Sequence, residues 1–460
     1  MELKQIKKFY FLIILCLVSC KKESNETAII DYIDKTRNQY SYQLIDSTIS
    51  KNWKSYHIKM ISGEWLNDDY VNETEWWHYV DIIIPNEIIT DKGLLFIDGG
   101  TKKEDYFRLD SLAVKFAVDS KSIITNVSNI PFQPINFKES EQHEFLEDDL
   151  IAYAWNKFLT SGAKNDDLEW LPRFPMTRAV VRAMDLAEEI AIDHKINLNK
   201  FVISGASKRG WTSWITAAVD DRVISVIPIV IDMLNLLPSF ENHYRSYGEF
   251  SYAVKEYIDY NIHNWMFKDE FKTLMKYVEP YNYIDKYTIP KYIVNAGSDQ
   301  FFATDSWRYY YSELPGEKLL RYVPNANHSM NGRYLDKNLM AFYMRIIKNK
   351  KLPELDWKLE NDSIIVNVNS SEKYDVSLWT ANNGKGRDFR LWEKGELWKN
   401  FDINPNPNGK YQVKLSDTLV GYTAKMFEFI FDSKSEYPLI ITTGPYVFPE
   451  NYPFKKYVPE

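Results

Sequence analysis

From about residue 57 to residue 347 the apolar residues follow two rhythms that take turns. Dense short runs such as Asp81-Ile-Ile-Ile84, Gly93-Leu-Leu-Phe-Ile97, Phe201-Val-Ile203 and Val223-Ile-Ser-Val-Ile-Pro-Ile229 are bounded by turn residues, as buried strands are. Between them, apolar residues recur at helical spacing. Ala179, Ala183, Leu186, Ala187 and Ile190 share one face, with Pro175 where a helix can start. The pattern predicts strands at His57 to Trp65, Glu75 to Pro85, Lys92 to Asp98, Ser122 to Val127, Phe201 to Ala206, Arg222 to Asp232, Pro290 to Ala296 and Lys318 to Val323. It predicts helices at Tyr106 to Val118, Phe145 to Leu159, Pro175 to Ile192, Trp211 to Val219, Thr304 to Leu314 and Met330 to Ile347, with a weak one over 28–50. Such alternation implies a doubly wound α/β fold with a mostly parallel sheet covered on both faces.

Two stretches break the rhythm. Residues 233–286 hold no clear strand and many aromatics, among them Tyr244, Tyr247, Tyr252, Tyr257, Trp265, Phe267, Tyr281 and Tyr283, which reads as a helical cap inserted over the sheet. After a linker near Asn349 to Pro353 the period shortens to two, at Ile364, Val366 and Val368 and again at Phe427, Phe429 and Phe431, and Asn383-Gly384 is a hairpin signal. About seven short strands there predict a small β-sandwich over 351–460, behind an α/β domain over 56–350.

The N-terminus has a different logic. Lys4, Lys7 and Lys8 precede the apolar run Phe9 to Val18, too short to span a bilayer and suited to a signal-peptide core, and Leu17-Val18-Ser19-Cys20 closes it. That box resembles the lipobox of bacterial lipoproteins, which implies a signal peptide over 1–20, acylation of Cys20, a tether and helical lead over 21–55, and a place in the bacterial cell envelope. Both cysteines, Cys16 and Cys20, fall in this segment, so disulfides are not expected to staple the body. A net charge of −8 without charge blocks argues against a nucleic-acid partner. Seven histidines without ligand spacing argue against a metal site, and no cofactor is expected.

Chemistry concentrates at strand ends. Ser207 stands at a strand-to-helix bend, Phe201-Val-Ile-Ser-Gly-Ala-Ser-Lys-Arg-Gly210, where a strained backbone can present its hydroxyl above the sheet. A serine needs a base and an orienting carboxylate. His328 and Asp299 follow the last two predicted strands, and Asp232, which ends the strand before the cap, is the alternative acid. The strand at Lys92 runs into Asp98-Gly99-Gly100-Thr101, so the Gly100 and Lys208 amides are candidate oxyanion donors. The second glycine of a Gly-x-Ser-x-Gly elbow is displaced: Arg209 stands in its place and Gly210 follows. His78, beside two tryptophans, reads as packing.

Ala152-Tyr-Ala-Trp-Asn-Lys-Phe-Leu159, Pro175-Met-Thr-Arg-Ala-Val-Val-Arg-Ala-Met-Asp185, Gly205-Ala-Ser-Lys-Arg-Gly-Trp211, Pro228-Ile-Val-Ile-Asp232 and Arg387-Asp-Phe-Arg390 resemble the PhoPQ-activated pathogenicity-related proteins, within the α/β-hydrolase superfamily. The resemblance spans about residues 60 to 455 and implies a hydrolase domain with a small C-terminal β-domain, without a defined substrate. Glucuronoyl esterases likewise set a cation directly after the serine, which by analogy lets the Lys208 charge assist an oxyanion or meet an anionic substrate. The expectation is an exported serine hydrolase acting on an ester or amide of a small molecule, glycan or peptide. The alternative is a hydrolase-like binding or signalling protein with a residual or non-catalytic triad, whose β-domain and cap hold a partner; a His328 Nε2 too far from Ser207 Oγ to reach by a rotamer change would favour it.

Overall fold

The computed structural model describes residues 25–103, 109–330, 333, 335–416 and 420–459. The apolar run, Cys16 and Cys20 lie outside the described residues, as does Tyr106. The chain enters through helix α1 (Asn25–Lys35) and turns into strand β1 (Ser41–Ile49), which pairs antiparallel with β2 (Trp53–Glu64). The weak helix expected over 28–50 is thus α-helical only as far as Lys35, with one 3-10 turn at Arg37–Gln39 before β1 begins. Nearly every residue of β1 is exposed, so neither face is buried and no alternation marks it.

The chain continues as β3 (Glu75–Pro85), β4 (Lys92–Ile97), α2 (Ser111–Ser120), β5 (Ile124–Val127), α3 (Glu147–Thr160), α4 (Arg173–Asp193), β6 (Lys200–Ala206), α5 (Lys208–Val219) and β7 (Val223–Ile229). The cap follows, with α6 (Leu236–Tyr247), α7 (Lys255–Asp259) and α8 (Asp269–Val278). Then come β8 (Lys291–Ala296), β9 (Lys318–Val323) and α9 (Asp336–Ile347). The nine strands form one sheet in the order β1-β2-β3-β5-β4-β6-β7-β8-β9. The pairs from β5 through β9 are parallel, and β1, β2 and β3 extend the sheet antiparallel. Thr304 to Leu314 differs from the expected helix. It forms two short 3-10 turns, Ser306–Tyr309 and Tyr311–Glu313, broken at Tyr310 with φ −147°.

The C-terminal region holds β10 (Glu354–Glu360), β11 (Ser363–Asn369), β12 (Tyr374–Asn383), the single turn α10 (Leu391–Lys394), β13 (Trp398–Asp402), β14 (Tyr411–Lys414), β15 (Tyr422–Phe431), β16 (Leu439–Thr442) and β17 (Tyr446–Phe448). All its strand pairs are antiparallel, in one sheet of three strands and one of five. The tight hairpin is not at Asn383-Gly384, after which the chain leaves the sheet. It is at Asn361-Asp362, both at positive φ, where Glu360 pairs with Ser363. Phe427, Phe429 and Phe431 share a core with Leu319 of β9 and with Phe342 and Tyr343 of α9. Thr442 Oγ1 accepts the Tyr322 backbone N–H at 2.9 Å, so the β-domain covers the β9 edge of the large sheet.

Candidate active site

At the end of β6 the backbone turns sharply into α5, and Ser207 holds φ 57°, ψ −126°, a conformation that L-residues rarely adopt. Two glycines make the bend possible. A Cβ at Gly205 would lie 2.7 Å from the carbonyl carbon and oxygen of Arg209, and one at Gly210 would lie 2.8 Å from the Gly205 carbonyl oxygen. The displaced glycine therefore still lets the helix close onto the strand. Residue 209 can carry a side chain because the room comes from Gly205.

β6, β8 and β9 lie in one parallel set, so their C-terminal ends open on the same side. His328 Nε2 is 2.9 Å from Ser207 Oγ. Its Nδ1 is 2.9 and 3.1 Å from the two Asp299 carboxylate oxygens. Asp299 also accepts the Phe301 N–H at 2.7 Å, Gln300 Oε1 accepts the His328 N–H at 3.1 Å, and the Phe301 ring lies 4.1 Å from the imidazole. With Nδ1 protonated toward the carboxylate, Nε2 is left as the acceptor for the serine proton. Ser207 Oγ and His328 Nε2 are within hydrogen-bond reach without a rotamer change.

Asp232 does not take part in this chain. Its carboxylate accepts from the hydroxyls of Tyr310 at 2.7 Å and of Tyr322. Burial pushes it up to about 7 although both hydroxyls bind it. Gly100 lines a separate polar cavity with His57, Asp81 and Asp98, and its carbonyl accepts from Gln133 Nε2 at 2.8 Å. The pairing of Ile97 with Gly205 sets the loop that carries Gly100 next to the Ser207 bend. The Lys208 amide opens α5, where an N–H has no partner within the helix.

The two cations are the largest departure from expectation. Lys208 is buried, with Nζ 2.7 Å from Glu147 Oε2 and 2.9 Å from Asp148 Oδ2. Arg209 bonds Glu147 Oε1 at 2.5 Å and the Ile130 carbonyl at 2.6 Å. Burial would raise the Glu147 carboxyl, but Lys208 and Arg209 hold it down at about 2. Both positive charges are thus spoken for by carboxylates of the α3 N-terminus, and neither is presented free to an anionic substrate. The sequence reading missed Glu147 and Asp148. An acidic pair opening a helix was visible, but its partner lies across the fold.

A cavity opens beside Ser207 and Lys208, closed in by the cap. Leu236, Phe240, Phe250, Ile258, Ile262 and Met266 give it an apolar wall, and Trp155, Trp211, Phe301 and Phe302 complete it. Of the aromatics singled out from the sequence, Tyr257 alone lines this cavity, and its hydroxyl donates to Asp148 at 3.0 Å. Phe240 and Phe250 lie in the same stretch, where tyrosines dominate the aromatic pattern.

The serine elbow at the end of a central parallel strand, with Asp299 and His328 after the last two strands of the same parallel set, defines an α/β-hydrolase fold. The chain belongs to the PhoPQ-activated pathogenicity-related protein family, whose sequence profile matches residues 29–390. It is 31% identical over 474 residues to autocrine proliferation repressor protein A of Dictyostelium discoideum, covering 96% of this chain and 94% of that protein. Solved structures similar to it include acetyl xylan esterase 1 from Thermoanaerobacterium sp. JW/SL YS485, at 12% identity and TM-score 0.49 over 70% of this chain and 93% of that one. The acetyl xylan esterase from Paenibacillus sp. R4 matches at 11% identity and TM-score 0.49, covering 71% and 95%.

Proposed function

We propose that this protein is a serine hydrolase that cleaves an ester or amide through an acyl-enzyme. The observation that carries the reading is the unbroken hydrogen-bond chain from Ser207 Oγ through His328 to Asp299, with Ser207 in the strained elbow. Ser207 Oγ attacks the acyl carbon while His328 Nε2 takes its proton, and the Asp299 carboxylate steadies the imidazolium. The oxyanion meets the Lys208 amide at the helix N-terminus. Collapse expels the leaving group with the proton from His328, and water then repeats the sequence to release the acid. The apolar cavity under the cap receives the acyl chain, so aliphatic or aromatic acyl groups are preferred over charged ones.

A fluorophosphonate probe should label the wild-type protein and not Ser207→Ala; equal labelling of both would refute the assignment. A panel of acyl esters and peptide amides, with Ser207→Ala as control, then separates ester from amide preference and ranks the acyl groups. The N-terminal reading belongs to the same proposal: the protein is exported and held on a membrane of the bacterial envelope by acyl chains on Cys20. Labelled palmitate should enter the full chain, and a Cys20→Ser variant that incorporates as much would refute it.

A further inference from the structure

The C-terminal β-domain reaches the two loops that carry the acid and the base, and one residue touches both. Trp398, the buried first residue of β13, donates its indole N–H to the Gly297 carbonyl at 3.1 Å, two residues before Asp299. Its backbone N–H donates at 2.9 Å to Asn325 Oδ1, and its carbonyl accepts from Asn325 Nδ2 at 2.9 Å, three residues before His328. The Asn325 amide thus behaves as a strand neighbour of Trp398, while Ala381 of β12 pairs with Trp398 within the sheet. Asn325 is at φ 52°, a left-handed conformation that asparagine tolerates better than most residues.

Two further bonds tighten the arrangement. Ser298 N–H donates to the Ala326 carbonyl at 3.0 Å, joining the acid loop to the base loop, and the Ser298 carbonyl accepts the Leu391 N–H at 3.0 Å. Buried Arg387 also pairs with Asp305 at the far end of the acid loop. Both loops lie beyond their strands, so the sheet ladder ends before it can fix Asp299 and His328. Their mutual position depends on what holds the loops.

We infer that Trp398 is a positioning residue for the Asp299–His328 couple, so that the C-terminal β-domain completes the active site rather than merely adjoining it. The inference rests on the hydrolase reading above for its effect on rate, but its structural content stands apart from it. Trp398→Phe keeps most of the packing and removes the indole N–H. Asn325→Ala removes both side-chain bonds to the Trp398 backbone. Phe431→Leu, in the β-domain core opposite Tyr374 and Leu439, controls for general loss of stability in that domain.

Hydrogen exchange by mass spectrometry and the rate of fluorophosphonate labelling are measured on the full chain of each variant. In Trp398→Phe and Asn325→Ala, exchange should quicken within 297–301 and 325–328 while β12 and β15 keep wild-type protection. Labelling should slow by about tenfold to a hundredfold, as small misplacements of a catalytic group do. Phe431→Leu should show neither effect. Unchanged exchange in the two loops, exchange that quickens equally through the β-domain, or labelling at the wild-type rate despite loosened loops would each overturn the inference. If wild-type protein does not label at all, the hydrolase reading falls, and the exchange pattern by itself decides whether Trp398 holds the loops.

Discussion

The backbone of Arg209 lies against the bare α-carbon of Gly205, close enough that a methyl group at 205 would sit 2.7 Å from the Arg209 carbonyl. Gly205→Ala forces the α5 N-terminus away from β6. It should cost about 1–3 kcal/mol of stability and remove most probe labelling, because the Ser207 conformation depends on that approach. Chemical denaturation alongside labelling checks it. A variant with wild-type stability and labelling would mean that the elbow relaxes freely.

The acid can be distinguished chemically. Asp299→Asn should preserve the fold but slow turnover by about 10³–10⁴-fold, since an amide can hold His328 in the wrong tautomer. Asp232→Asn, which touches two tyrosine hydroxyls and not the imidazole, should stay within about tenfold of wild type. Steady-state rates on an activated ester decide the matter, and the reverse ranking would transfer the role to Asp232.

Lys208 is a structural ion before it is anything else. Lys208→Met leaves the half-buried Asp148 and Glu147 carboxylates with only Tyr257 and Arg209 as partners and should cost about 1–3 kcal/mol. Adding Glu147→Gln should recover part of that loss, giving a coupling energy of about 1 kcal/mol or more in a double-mutant cycle. Additive losses, read by urea denaturation, would mean that the two charges act independently.

The pH response follows from buried histidines. His243 accepts the Ser251 N–H at Nε2 at 2.9 Å and donates from Nδ1 to the Phe301 carbonyl at 3.1 Å, so it bridges the cap and the acid loop only when neutral. Burial, with help from Arg390, lowers it to about 3, and burial lowers His78 to about 3 as well. For a base whose folded value is depressed, the unfolded chain takes the proton first. The contribution of these two histidines is therefore complete above about pH 6.5 and declines as pH falls from there toward 3, while the raised Asp232 carboxyl acts in the opposite sense below about pH 7. Denaturation midpoints taken between pH 8 and pH 4 should show the histidine term as a difference, with His243→Leu losing less stability on acidification than the wild type.

The α/β rhythm, the cap and the positions of Ser207, Asp299 and His328 were legible because each rests on a local signal: a dense apolar run, a glycine bend, a polar residue just past a strand. Contacts across the fold left no such mark. Glu147 and Lys208 meet only because α3 and α5 are brought together. Trp398 lies in a stretch that read as plain sandwich, since an indole that packs and one that also donates to a distant carbonyl look the same in sequence. β1 escaped notice because a strand exposed on both faces has no inward positions to alternate.

The tie at Trp398 also bears on where this chain can be cut. A fragment stopped at residue 390, where the family profile ends, retains Ser207, Asp299 and His328 but loses the indole that meets Gly297 and the backbone that meets Asn325. Such a product would carry all three side chains and no clasp, so on the inference above the strands beyond residue 390 belong to the smallest active fragment.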